Sequence, residues 1–600
     1  MPAGMMNVVS AQQQPGPGND SANGADTHSA VVLLEEVRRA LDTAHWPLEL
    51  AGVEGSRGAA REAAAQLDDY IIPRYRSLDA PLLAVVGGST GAGKSTLVNA
   101  LVGHPVTRSG AIRPTTRQPI LIHHPAEGNW FREQRVLPGL SRIAGTLNTG
   151  GALQAPVPGA GPDEQVTSLV LVGDNAVPQG LALLDAPDVD SVSDHNRRLA
   201  GQLLAAADLW IFVTTANRYA DAVPWKLLLD AASRDITVAV VLDRVPQAAE
   251  DEVRSDLETM LRRHGLGSAK LFTVRESALD GNGMLPREAV EPLAAWLKEL
   301  AADSAARSSV ARRTLHGAVR SLAGRLEELD RAAAEQDEAA RILGSVADEE
   351  YARALQAILD ASKDGALLRG EVLARWQDFV GTGEFFRSLE QNVGRLRDRV
   401  GAFFRGEPAP AVRVETAIET GLHAVIVDEA NNAAEHTERR WRSEPGGREL
   451  LGEGLAAASP GFAGQAAAEI RAWQGSLMEL IRTEGQDKRS KARWLSFGVN
   501  GLGAALMIVV FSMTAGLSGL EIGVAGGTAV VGQKLLEAVF GEDAVRRLAK
   551  RAREELHERC DALLAAEKER FQGRLAMGGR QHAGKLSGLA VELRTLAGAE

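Results

Sequence analysis

The sequence predicts an α/β domain with a mixed sheet flanked by helices, joined to a large all-α helical bundle that carries an apolar hairpin. Three observations predict this division. Short apolar runs alternate with helical patterns from residue 81 to about residue 300. After residue 300 the apolar residues recur with helical spacing. A long stretch without any charged residue then runs from Trp494 to Leu520.

The composition limits the classes of protein to which the chain can belong. A length of 600 residues predicts several domains, and a formal net charge of −12 argues against a nucleic-acid partner. The single cysteine, Cys560, excludes an intramolecular disulfide and a cysteine-rich zinc site. Residues 1–28 are rich in Pro, Gly, Gln, Asn and Ser, so we expect a disordered N-terminus that is not a secretion signal.

Seven apolar runs supply the predicted strands of the α/β domain, which we place at residues 81–300. These runs are LLAVV, PILIH, TSLVLVG, LALLD, LWIFVTT, TVAVVLD and KLFTV. Two helical patterns at residues 29–80 precede the first strand, and we expect this leader to pack on the helical bundle.

The segment GGSTGAGKST, from Gly87 to Thr96, follows the first predicted strand and fits the phosphate-binding loop G-x-x-x-x-G-K-[ST]. Glycines recur because a backbone that wraps closely around phosphates leaves no room for Cβ atoms. Lys94 would reach the β and γ phosphates, and the Ser95 hydroxyl would bind Mg²⁺. The candidate nucleotide-binding residues of this loop are Gly88, Ser89, Thr90, Gly91, Ala92, Gly93, Lys94, Ser95 and Thr96. The alternative is a glycine-rich turn before an ordinary helix.

A nucleoside triphosphatase also needs a switch threonine and a carboxylate at the end of a neighbouring strand. Thr116 in GAIRPTTRQPILIH follows the P-loop helix and is the first choice for the switch, with Thr115 second. Asp185 ends the run LALLD and fits a water-bridged contact to Mg²⁺. The predicted catalytic residues are therefore Lys94, Thr116 and Asp185, and the predicted metal site is Ser95, Thr116 and Asp185.

The residues that would recognise the base depart from the usual GTPase motif. GTPases carry [NT]-K-x-D after a strand, and here the run TVAVVL is followed by Asp243, Arg244, Val245 and Pro246. Arg244 has a stem that can stack on a base, but Pro246 cannot accept hydrogen bonds from guanine as an aspartate does. Asp243 is a candidate substitute, and Ser277 and Ala278 in RESALD are candidates for a further base-binding loop. These residues alone do not decide between GTP and ATP.

The helical part begins with an apolar stripe of coiled-coil type. Its members, spaced by four and three residues in turn, are Leu315, Val319, Leu322, Leu326, Leu329 and Ala333. We place a helical bundle, or stalk, at residues 301–493.

The apolar hairpin is placed at residues 494–541. Its uncharged first half is long enough to cross hydrocarbon, and the glycines around Glu521 are typical of a turn. Basic clusters flank the region: Lys488, Arg489, Lys491 and Arg493 before it, and Arg546, Arg547, Lys550 and Arg551 after it. We therefore predict membrane insertion with both ends in the cytoplasm and C-terminal helices at 542–600 that return to the stalk. Two alternatives stay open: a shallow re-entrant hairpin in the membrane, and a hairpin buried inside a soluble bundle.

The order of the P-loop, TTRQP, DAPD and a helical tail with an apolar hairpin resembles the bacterial dynamin-like GTPases. TRQP is similar to the switch segment of dynamins, and LLRGEVLARWQDFVGTGEFF resembles actinobacterial members. The resemblance implies a GTPase head that hydrolyses GTP with Mg²⁺, a stalk, and a tip that remodels or tethers membranes. It also implies a homo- or hetero-dimer formed through the heads, at the cytoplasmic face of the cell membrane.

Two departures from the family pattern affect turnover. Asp188 stands where the family motif D-x-x-G has glycine, and Val189 follows it instead of a glutamine. Thr90 and Gly91 stand where dynamins have glutamine and serine in the P-loop. Hydrolysis is thus expected to be slow without a second head. Two other functions stay open: a soluble P-loop switch that regulates a protein partner, and a nucleotide-binding scaffold with little turnover.

Overall fold

The computed structural model describes most of the chain. The described residues are 20–107, 118–133, 136–147, 153–154, 168–188, 194–363, 367, 372, 374–376, 409–486, 491–512, 525–577 and 583–598. Thr115 and Thr116, the predicted switch residues, lie outside them, as do residues 513–524 at the predicted turn of the apolar hairpin.

The described strands form two sheets. They are β1 (Leu82–Gly88), β2 (Ile120–His123), β3 (Ser141–Ala144), β4 (Thr146–Leu147), β5 (Leu153–Gln154), β6 (Ser168–Gly173), β7 (Leu181–Asp185), β8 (Leu209–Thr215), β9 (Thr237–Val245) and β10 (Lys270–Arg275). Within the described residues, the larger sheet has eight strands in the order β10-β9-β8-β1-β7-β2-β6-β3, and β4 pairs with β5. All seven predicted strands are present in the larger sheet, whereas β3 at its edge was not predicted.

The larger sheet is mixed, which confirms the predicted fold class for this part of the chain. β2 and β7 are antiparallel, while β1 runs parallel to both of its neighbours, β7 and β8. β9 is parallel to β8. The carboxyl ends of β1, β7, β8 and β9 therefore meet at one edge of the sheet, where parallel α/β sheets bind their ligands.

Helices account for most of the remaining described chain. Those along residues 20–302 are α1 (Asp20–Thr43), α2 (Val53–Gln66), α3 (Ile72–Arg76), α4 (Lys94–Val102), α5 (Gly128–Arg132), α6 (Asp194–Ala205), α7 (Ala222–Ser233), α8 (Glu250–Arg263) and α9 (Arg287–Ala302), with a π-helical turn at Leu67–Ile71. Those further along the chain are α10 (Ser304–Lys363), α11 (Ala409–Ser443), α12 (Phe462–Gln486), α13 (Lys491–Ser512), α14 (Ala525–Phe540), α15 (Glu542–Met577) and α16 (Lys585–Gly598).

The chain divides into two compact units. Unit 1 comprises Met1–His45, Glu54–Ala334 and His582–Glu600, and unit 2 comprises Trp46–Val53 and Glu335–Gln581. This division differs from the predicted domain limits, because unit 1 contains the leader helices and α16 in addition to the sheet. Packing between elements far apart in sequence is the reason, since α1 contacts α16 within unit 1.

The N-terminal helix also differs from its prediction. α1 begins at Asp20, inside the segment 1–28 that the composition predicted as disordered. Further along the helix Ala30, Leu34 and Val37 are buried. Helix formation is cooperative, so a helix held by its buried face extends into polar residues that would not form it alone.

The apolar stripe on α10 is buried, as its spacing predicted. The six residues of the stripe are each no more than 2% exposed. On the same helix Gly317 lies against the main chain of Arg234, where an added Cβ would sit 1.8 Å from the carbonyl oxygen. Glycine at 317 therefore allows α10 to approach this backbone closely.

We expect Gly317→Ala to lower the free energy of unfolding by about 1–3 kcal/mol, because backbone atoms cannot yield to the new methyl group. Gly324→Ala is the matched control on the same helix, since no atom lies within 4 Å of an added Cβ there. It should stabilise the protein by about 0.5–1 kcal/mol through helix propensity. Urea unfolding followed by circular dichroism compares the two variants. Equal effects of both substitutions would contradict the close approach at Gly317.

Unit 2 is a helical bundle with a core of large apolar side chains. Trp473 on α12 is fully buried, and its indole Nε1 donates a hydrogen bond of 2.9 Å to the carbonyl of Ala552 on α15. Its ring lies 5.7 Å from that of Phe511 on α13. Residues 501–511 of α13 are all buried, and α13 also packs against α14.

Among the described helices, none combines the length and the apolar character needed to span a membrane.

A carboxyl group faces α13 within unit 2. The Oε1 atom of Glu415 on α11 would lie 3.6 Å from a Cβ added at Gly503. This oxygen is buried and has no hydrogen-bond partner among the described residues. Burial therefore raises the pKa of Glu415 to about 7.

We expect the stability of unit 2 to decrease as the pH rises from about 4.5 to about 7. A carboxyl whose folded-state pKa is raised contributes stability that is complete below its ordinary pKa of 4.5 and is lost as the pH passes its folded-state value. Glu415→Gln should remove this pH dependence. The control is Glu419→Gln on the same helix, where Glu419 pairs with Arg471 at 3.4 Å. If the free energy of unfolding changed by the same amount in E415Q and in the parent between acid and neutral pH, this assignment would be wrong.

Candidate nucleotide site

The P-loop connects β1 to α4 at the carboxyl edge of the sheet. Gly88, Gly91 and Gly93 have φ values of 152°, 75° and 93°, which side chains rarely tolerate. A Cβ on Gly88 would lie 2.1 Å from the carbonyl oxygen of Val213 on β8. The loop therefore requires glycine both for its conformation and for its approach to the neighbouring strand.

Lys94 begins α4 and is held inside the loop. Its side chain is 6% exposed, and Nζ donates hydrogen bonds to the carbonyl oxygens of Gly88 at 3.0 Å and Ser89 at 2.9 Å. Nζ also forms an ion pair with a carboxylate oxygen of Asp188. The ammonium group is thus preorganised at the centre of the loop.

Ser95 and Asp185 meet at the same edge. The Ser95 hydroxyl donates a 2.8 Å hydrogen bond to Oδ2 of Asp185, which is fully buried at the end of β7. Burial raises the pKa of Asp185 to about 6, while the bond from Ser95 and the charge of Lys94 act in the opposite direction. A buried carboxylate that is costly to ionise is well suited to a cation.

Several buried polar atoms around the loop have no hydrogen-bond partner among the described residues. They are Ser89 Oγ, Asp185 Oδ1, Thr214 Oγ1 and Asp243 Oδ1. They follow β1 or lie at the carboxyl ends of β7, β8 and β9. Unpaired buried polar atoms are costly, so their convergence here indicates a site that a polar ligand completes.

The residues predicted to read the base occupy the same edge further along the sheet. Asp243 lies against the P-loop, since a Cβ on Gly93 would sit 2.4 Å from its Oδ2. Arg244 has a φ of 55°, and its side chain is 57% exposed. Ser277 and Ala278 are exposed in the loop after β10, which is joined to β9 by the Glu276 amide donating to the carbonyl of Val245 at 3.0 Å.

The structure adds two contacts that the sequence did not indicate. Arg218, after β8, donates a 2.9 Å hydrogen bond to the carbonyl of Thr90 in the P-loop. The ion pair of Asp188 with Lys94 is the second. The sequence signal for Arg218 is its position just beyond the carboxyl end of β8, which pairs with β1.

A strand–loop–helix with a buried lysine, followed by a serine that bonds an aspartate at a strand end, defines a P-loop nucleotide-binding domain. Residues 83–242 match the model of the Dynamin family, so this part of the chain is a dynamin-family domain. The resemblance drawn from the P-loop, TTRQP and DAPD is confirmed for this segment.

Solved structures from an oligomerised bacterial dynamin pair, described as sensing and tethering membranes over long range, are similar to nearly the whole chain. One is 10% identical with a TM-score of 0.43 and covers 97% of this chain and 96% of its own. The other is 11% identical with a TM-score of 0.42 and covers 95% and 94%. These TM-scores are too low to establish a shared fold over that length. No curated protein matches the chain.

Proposed function

We propose that the protein is a dynamin-like GTPase that hydrolyses GTP with Mg²⁺ and acts at a membrane, which it remodels or tethers. The observation that carries this proposal is the preorganised Lys94 in a P-loop of a dynamin-family domain. The match to the family supports GTP as the nucleotide. The apolar region near residues 494–541 supports action at a membrane.

The proposed roles follow from the positions of the side chains. Lys94 binds the β and γ phosphates, and the amides of the P-loop surround them at the start of α4. Ser95 and Asp185 would hold Mg²⁺, together with Thr116, which lies outside the described residues. Oδ1 of Asp185, which has no hydrogen-bond partner among the described residues, fits this role. The ion would supply positive charge to the phosphate oxygens.

Turnover is proposed to be slow in a single head. Asp188 replaces the glycine of the family motif, and its carboxylate pairs with Lys94. Thr90, Gly91 and Val189 stand at the motif positions that supply the water-orienting side chain in related GTPases. None of these three residues is the glutamine or serine expected there. Pairing of two heads, in a homo- or hetero-dimer, is the proposed source of the missing group.

Guanine is the proposed base, supported by the family match to residues 83–242. The discrimination against ATP is expected to be smaller than in GTPases with a complete fourth motif, because Pro246 replaces the aspartate that accepts two hydrogen bonds. Asp243 and Arg244 are the proposed base-side residues, with Ser277 and Ala278 beside them. Titration with labelled GTP and ATP tests this. A preference for ATP would overturn the assignment to GTP while leaving the P-loop intact.

Membrane insertion is proposed for α13 and α14 at the cytoplasmic face of the cell membrane. It requires α13 to leave its contacts in unit 2, where Phe511 packs against Trp473. The uncharged composition of Trp494–Leu520 and the flanking basic clusters support insertion. The burial of residues 501–511 specifically favours a second candidate, a soluble P-loop switch that keeps the hairpin inside the bundle.

Flotation with anionic lipid vesicles, combined with single-turnover GTP hydrolysis, separates these functions. The proposed function predicts flotation that depends on GTP and hydrolysis that depends on Mg²⁺. Ser95→Ala should weaken only the Mg²⁺-dependent part of binding and hydrolysis. Hydrolysis without flotation would indicate the soluble switch, and binding without hydrolysis would indicate a scaffold.

A further inference from the structure

The Asp188 carboxylate pairs with the ammonium group of Lys94, which is the group proposed to bind the terminal phosphate. An ammonium has three N–H donors. Those of Lys94 are directed at the carbonyls of Gly88 and Ser89 and at the Asp188 carboxylate. A phosphate oxygen can therefore contact Nζ only by displacing one of these three acceptors.

The three acceptors differ in how easily they can move. The carbonyl of Gly88 belongs to a backbone that is wedged against Val213, and Ser89 is fully buried. The side chain of Asp188 is 34% exposed. Its carboxylate can rotate into water, which solvates the charge. Asp188 is therefore the acceptor that a phosphate displaces.

We infer that Asp188 is a specificity-determining residue that competes with the terminal phosphate for Lys94 and so reduces the preference of the site for a nucleoside triphosphate over a diphosphate. This inference rests on the proposed function. A triphosphate brings its γ-phosphate to Lys94 and leaves two anionic groups next to each other. A diphosphate brings only its β-phosphate to Lys94, so less negative charge comes to lie next to the displaced Asp188 carboxylate. Glycine, the family residue at this position, has no such charge.

The test is the ratio of dissociation constants for GDP and GTPγS in the presence of Mg²⁺, with ADP and ATPγS measured in parallel. Asp188→Asn removes the charge and keeps the shape. We expect it to tighten GTPγS by about tenfold and GDP by less than about twofold, as expected for the loss of one close like-charge contact. Asp188→Glu keeps the charge and should keep the ratio of the parent.

Asp235→Asn is the matched control for a change of net charge. Asp235 is exposed, pairs with Arg320 at 3.3 Å, and precedes β9 at the opposite edge of the sheet from the P-loop. Its φ of 53° is also well tolerated by asparagine. This variant should leave both dissociation constants unchanged. Circular dichroism checks that all three variants are folded.

The outcomes distinguish this inference from the proposed function. If the parent binds GTPγS and D188N leaves the ratio of the two constants unchanged, the competition by Asp188 is refuted while the proposed function stands. If D235N changes the ratio as much as D188N does, the effect is one of general charge and the inference is also refuted. If neither parent nor variants bind any of the four nucleotides, both the proposed function and the inference are overturned.

Discussion

Lys94→Ala is expected to weaken binding of a fluorescent GTP analogue by roughly 100-fold or more. The reason is the loss of charge-assisted hydrogen bonds to two phosphates, each of which contributes about 1.5–3 kcal/mol. The lysine is held at the centre of the P-loop by the carbonyls of Gly88 and Ser89. The loop from Gly87 to Thr96 contains no other lysine or arginine that could replace it. Fluorescence anisotropy at constant Mg²⁺ measures the effect.

Lys298→Ala is the control, because Lys298 is an exposed lysine on α9 of the same unit. It should bind the analogue as the parent does. Circular dichroism should show that K94A keeps its secondary structure, since Lys94 contacts the loop and not an apolar core. Parent-like affinity of K94A would remove the basis for the nucleotide site.

Trp473→Ala is expected to lower the free energy of unfolding of unit 2 by about 3–5 kcal/mol. The indole is fully buried, contacts the ring of Phe511 and donates a hydrogen bond to the carbonyl of Ala552. Alanine would leave a large cavity at the point where α12, α13 and α15 meet. Urea unfolding with tryptophan-independent detection, such as circular dichroism, measures the loss.

Trp473→Phe is the matched variant, because it keeps an aromatic ring and removes the hydrogen bond and part of the volume. Its cost should be clearly smaller than that of alanine. Nucleotide affinity should be unchanged in both variants, since the P-loop belongs to unit 1 and Trp473 to unit 2. A loss below about 1 kcal/mol for W473A would contradict the tight core described for unit 2.

Several parts of the candidate site could be predicted from the sequence because their chemistry is local. The P-loop needs consecutive residues in one order, and Lys94 and Ser95 stand where that order requires. Asp185 was predicted because it ends an apolar run, and the structure places its carboxylate 2.8 Å from the Ser95 hydroxyl. The parallel pairing of β1 with β7 brings the two strand ends together.

Other parts of the site depend on contacts between residues far apart in the chain. No spacing rule predicts that Arg218 bonds the carbonyl of Thr90 or that the carboxylate of Asp243 lies against Gly93. The sequence showed only that Asp188 replaces a glycine. Its ion pair with Lys94 depends on how the chain continues after β7, which local patterns do not specify.

The sequence by itself determined the strands, the P-loop and the helical character of the remainder, because each follows from apolar periodicity or from a short motif. Only the tertiary structure decided which helices share a core. α16 lies with α1 in unit 1, while α15 lies in unit 2. It also decided that residues 501–511, which are apolar enough to suggest a bilayer, are buried among helices of unit 2. The physical reason is that an apolar surface is stabilised by its removal from water. The composition of the segment does not specify whether a bilayer or neighbouring helices cover that surface.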